Sequence, residues 1–122
     1  KLYQKKDYRK VLDYIYTKSY FEVDETRNHL LMEDRILVEV IKLSLNAGLI
    51  MEAGIPGKKI TYKVKPFAKV WFVILRTKRA NLDIINAKIH DFSKRQTEKA
   101  IEECMEKEII FFESKWGTYS VA

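Results

Sequence analysis

The chain has 122 residues, 47% of them hydrophobic and 33% charged, with a net charge of +6 and a single cysteine. That length allows one compact domain or two very small ones, and the apolar share is too high for a disordered tail. One cysteine excludes an intramolecular disulfide and fits a reducing, cytoplasmic setting. No apolar run approaches the ~18 residues of a membrane span, and no secretory leader is expected.

Taken in chain order, Lys5 to Lys18 predicts a helix with Tyr8, Leu12, Ile15 and Tyr16 near one face. Tyr20–Val23 is brief and β-rich, and Asp24 is placed as the N-cap of a short helix reaching about Leu31. A longer helix is expected over Glu33–Asn46, with Ile36, Leu37, Val40, Ile41 and Leu43 on its buried side. Gly48 stops it by supplying a left-handed residue. Leu49–Ala53, a Gly54-Ile-Pro-Gly-Lys-Lys59 turn and the alternating Ile60–Lys65 run then read as a β-hairpin.

Pro66 breaks the chain and the cycle starts again. Phe67–Thr77 has the apolar density of a buried helix, Leu82–Ile89 reads as a short helix, and Ser93 can cap a third helix to about Lys107. Strands at Ile109–Glu113 and Thr118–Val121 flank a turn holding Lys115, Trp116 and Gly117. The halves 1–66 and 67–122 share an order of elements rather than residue identities, so the expected repeat is ~60 residues. Positive charge is spread over both: 13 Lys+Arg against 9 Asp+Glu in the first, 10 against 8 in the second.

Two stretches carry a resemblance. Leu43-Ser-Leu-Asn-Ala-Gly-Leu-Ile50, followed by the Gly/Lys turn and Tyr62, resembles the winged helix-turn-helix superfamily at the passage from third helix to wing. Phe92-Ser-Lys-Arg-Gln-Thr-Glu-Lys-Ala-Ile101 with Glu108-Ile-Ile110 resembles it in the second half. The resemblance implies an α+β protein of two tandem winged-helix units, each about three helices plus a β-hairpin wing. It further implies double-stranded DNA binding, in a transcription regulator, a plasmid or viral replication initiator, or a nucleoid-associated segregation factor. The competing expectation is a tandem winged-helix scaffold for protein partners, as in chromosome-condensation, polymerase-associated or trafficking complexes.

Under the DNA reading, Ser93 and the first N–H groups of its helix meet a phosphate, and Lys94, Arg95, Gln96 and Lys99 face the major groove. Lys58, Lys59 and Lys115 would touch the backbone from the two wings. Trp116 either joins them or folds back on the core, the commoner fate of a tryptophan. Arg76, Lys78 and Arg79 fit an ordinary helix C-terminus at least as well as a nucleic-acid role. The helix at 33–46 differs, because it opens on Glu33 and Asp34, which suit a helix dipole and repel phosphate. The first unit is therefore open to a protein partner or a second copy, and Tyr8, Leu12 and Ile15 are a candidate dimer stripe, with packing between the halves the alternative.

Catalytic chemistry has little footing. His29 and His90 lack neighbours at metal-ligand spacing, Cys104 lies on an apolar stripe, and Gly54 and Gly57 are not followed by a phosphate-loop Lys-Ser/Thr. No enzyme activity, cofactor or metal is expected.

Overall fold

The computed structural model describes residues 5–54, 57 and 60–122. It is an α+β chain that divides into two compact units, Lys1–Lys65 and Pro66–Ala122. Pro66 therefore opens the second unit instead of closing the first. It is the first residue of a helix, where a missing N–H removes no hydrogen bond.

In the first unit the order is α1 (Lys6–Ile15), β1 (Tyr20–Glu22), α2 (Val23–Leu30), α3 (Asp34–Asn46), β2 (Ile50–Glu52) and β3 (Thr61–Val64). The strands form an antiparallel sheet in the order β1-β3-β2. The start of α2 differs from the sequence expectation. Glu22, still extended, is the N-cap, and Asp24 sits inside the first turn, where it pairs with Arg27 at 2.8 Å. Pairing of Glu22 with Thr61 carries the strand up to the helix start, and the Thr26 hydroxyl donates to the Glu22 carbonyl.

Tyr8, Leu12 and Ile15 are buried, and so do not form the exposed dimer stripe anticipated from the sequence. Helix α1 packs on α3, with the Tyr8 hydroxyl donating to Glu39 and Tyr16 donating to Ser44 Oγ at 2.8 Å. A three-helix unit of this size needs that aromatic surface for its own core, where each full side-chain burial contributes about 1.5–3 kcal/mol. At the end of α3, Gly48 has φ 73° and the Leu49 N–H reaches back to the Ser44 carbonyl at 2.9 Å, the left-handed stop expected there.

The second unit repeats this plan with α4 (Pro66–Thr77), α5 (Leu82–Lys88), α6 (Lys94–Glu106), β4 (Ile110–Glu113) and β5 (Thr118–Val121). Its α6 begins and ends sixty residues after α3 begins and ends. The equivalent of β1 has shrunk to Ala80, which exchanges both backbone hydrogen bonds with Tyr119 of β5 at 3.1 and 2.8 Å. The same first-with-third strand pairing is thus kept by one residue. Glu108 stands where Gly48 stands in the first unit. It has φ 58°, and the Ile109 N–H bonds the Cys104 carbonyl at 3.1 Å.

Candidate nucleic-acid interface

Helix α6 buries Thr97, Ala100, Ile101 and Cys104 at i, i+3, i+4 and i+7, which turns Lys94, Arg95 and Lys99 to solvent. Its start is held from three sides. Ser93 Oγ accepts from the Gln96 N–H at 3.1 Å and Gln96 Oε1 accepts from the Ser93 N–H at 2.7 Å, a closed capping box. The Thr97 hydroxyl donates to Asn86 Oδ1 at 2.7 Å, tying α5 to α6. Just upstream, the Lys69 ammonium reaches Asp91 at 2.9 Å and lies over the Phe92 ring, its side chain only 5% exposed. The Ser-x-x-Gln spacing that forms the box was present in the sequence; the Lys69–Asp91 and Thr97–Asn86 links join positions too far apart to be read there.

The capping box changes the assignment of two expected contacts. Gln96 is a cap partner through Oε1, so it is not free to make the bidentate adenine contact expected of it. Ser93 spends an acceptor lone pair on the cap and keeps only its hydroxyl proton for an anion. The backbone N–H groups of Lys94 and Arg95, at the first two helical positions, have no intrahelical acceptor.

Charge along α6 runs against the helix dipole. Lys94 and Arg95 occupy its first turn, Glu98 and Lys99 its second, and Glu102, Glu103 and Glu106 its C-terminal end, so it has no acid in its first turn and no base in its last. Helices α1, α2, α3 and α5 each place an acid in the first turn. At the position of Lys94 the first unit has Asp34, and at that of Lys99 it has Glu39, which accepts from Tyr8. Lys94, Arg95 and Lys99 are exposed, and none forms an ion pair among the described residues.

The β4–β5 turn forms a second cluster. Gly117, at φ 63°, closes it, with the Trp116 and Gly117 N–H groups both bonded to the Glu113 carbonyl. Trp116 does not fold back; it is 52% exposed, with Arg79 at 4.9 Å and Lys115 at 5.1 Å from its ring centre. Arg79 therefore belongs with the turn, a partnership that no local pattern signalled. No hydrogen bond, ion pair or ring contact among the described residues joins this cluster to the α6 cations. Lys58 and Lys59 lie outside the described residues.

Burial pushes the Cys104 thiol up to about 12, and its Sγ lies 3.2 Å from the Phe67 carbonyl. No cluster of three metal-ligating side chains occurs among the described residues, and no helix there is long and apolar enough to cross a membrane. Neither a protein-family model nor a curated protein matches the chain.

Proposed function

We propose that this chain is a tandem winged-helix protein that binds double-stranded DNA, with α6 in the major groove and the β4–β5 wing against the backbone. The observation that carries the reading is the charge order of α6. Two cations in a first turn each cost a helix about 0.3–1 kcal/mol, and here they are exposed, unpaired and beside open N–H groups. A phosphate turns that cost into attraction, because the dipole, the N–H groups and the cations then act on one anion. Arg95 is the side chain suited to a guanine edge, and Lys94 and Lys99 to phosphates. Regulator, replication initiator and segregation factor all fit this chemistry.

A specific observation favours a second reading for the first unit. The solvent side of α3 presents Val38, 55% exposed, and Leu45 one heptad later, while its start is acidic. That face suits a protein partner or a second copy better than phosphate, which is the scaffold alternative confined to one unit.

Fluorescence anisotropy with a labelled duplex, at two salt concentrations and with random-sequence competitor, tests the DNA reading. Submicromolar, salt-sensitive binding that resists competitor is the expected result. No binding at low salt would move the assignment to protein scaffolding, which a pull-down would then pursue.

A further inference from the structure

The β4–β5 hairpin exposes more aromatic surface than backbone contact requires. Trp116 stands at its tip, and Phe111 and Phe112, 44% and 47% exposed, project from opposite faces of β4 because neighbouring residues of a strand alternate. Phe112 is braced by Tyr119 across the ladder, with ring centres 5.0 Å apart. The charge around the tip is cationic: Arg79 and Lys115 lie on the tryptophan, and exposed Lys78 adjoins Arg79. The nearest acid in the turn, Glu113, accepts from the Ser120 hydroxyl at 2.9 Å.

Exposed aromatic rings set among unpaired cations suit one ligand chemistry closely: an unstacked nucleobase with its flanking phosphates. Paired bases in a continuous duplex hide their faces, so a ring at a hairpin tip gains little from them. We infer that the β4–β5 wing is a stacking platform for unpaired DNA bases, and that the preferred ligand is a duplex carrying a single-stranded arm. The inference rests on the DNA-binding reading for its duplex half alone. Arg79 and Lys115 hold the indole outward in the free protein through cation–π contact. When a base stacks on the ring, they turn to the adjacent phosphates, so the site is prepared and neutralised by the same two side chains.

The test compares a blunt duplex, the same duplex with unpaired arms, and a single strand, each titrated against the full chain by anisotropy. The wild type is expected to bind the armed duplex about 5- to 150-fold more tightly than the blunt one, the range that a single stacked base supplies. Trp116→Ala should erase that preference, its loss of affinity on the armed duplex exceeding its loss on the blunt duplex by the same factor. Trp116→Phe should retain most of it, and oligo-thymidine should quench the intrinsic fluorescence of the wild type far more than that of the Phe variant. Equal losses on blunt and armed duplexes in Trp116→Ala would overturn the inference, as would an unchanged preference. Failure of the α6 reading looks different: Lys94→Ala/Arg95→Ala would then leave blunt-duplex binding intact, whatever Trp116 does.

Discussion

Neutralising the start of α6 should weaken DNA binding and strengthen the fold at the same time. In Lys94→Ala/Arg95→Ala both side chains are exposed and unpaired, so no described ion pair is lost. Both lie in the first turn, where each cation opposes the dipole by about 0.3–1 kcal/mol, and alanine is at least as good a helix former. The double variant should therefore be about 0.5–2 kcal/mol more stable in urea unfolding. On DNA, the lost Lys94 phosphate contact removes about 0.9 from the slope of log K against log salt, while the lost Arg95 base contact lowers affinity by about 1–3 kcal/mol at its preferred sequence. Between 50 and 200 mM salt that amounts to roughly a three- to fourfold smaller loss of affinity for the variant than for the wild type. Lys99 sits beyond the reach of the dipole, so Lys99→Ala should lower the slope by about 0.9 with no gain in stability. An unchanged slope in the double variant would remove α6 from the interface, and a loss of stability would show that the two cations serve the fold.

Three further outcomes follow from the same geometry. Asp91→Ala should cost about 1.5–3 kcal/mol, the worth of a hydrogen bond to a charged group, because it strips a carboxylate from the buried Lys69 ammonium; Lys69→Met, which keeps the packed stem, should cost less by urea titration. Glu108→Gly should raise stability by about 0.5–1 kcal/mol, since glycine removes the left-handed penalty and gives back part of it as unfolded-state freedom. Stability should fall above pH 9: the Cys104 thiol and Tyr16 phenol are held up to about 12 from 9.0 and 10.0 by burial, so their contribution is complete below those ordinary values and is lost as pH rises toward 12. Cys104→Ala should flatten the part of that decline beginning at pH 9, and a pH-independent unfolding midpoint between 9 and 11 would refute it.

What the sequence determined by itself was whatever depends on neighbours three to five residues apart. The Ser93 cap, the Gly48 stop, the apolar stripe of α6 and the two hairpins are set by local hydrogen bonds and local periodicity, so they could be read directly. On α3 the stripe holds at Ile36, Leu37, Val40 and Ile41, but Leu43, expected on the buried side, is exposed and Ser44 takes the inward position beneath the Tyr16 hydroxyl. The exposure of Lys94, Arg95 and Lys99 follows from the same stripe. The tertiary structure decided everything that depends on a distant partner. Tyr8 became core because Glu39, thirty-one positions away, lies beneath its hydroxyl. Ala80 became a strand remnant because Tyr119 offers it both backbone groups, and the same pairing brings Arg79 onto Trp116. Local patterns cannot report such contacts, because an aromatic residue or a cation has the same sequence signature whether it is buried against a partner or left in water. The site divides in the same way: its charges are written in α6, whereas its rigidity and its aromatic tip exist only once α4, α5 and the β4–β5 hairpin have closed around it.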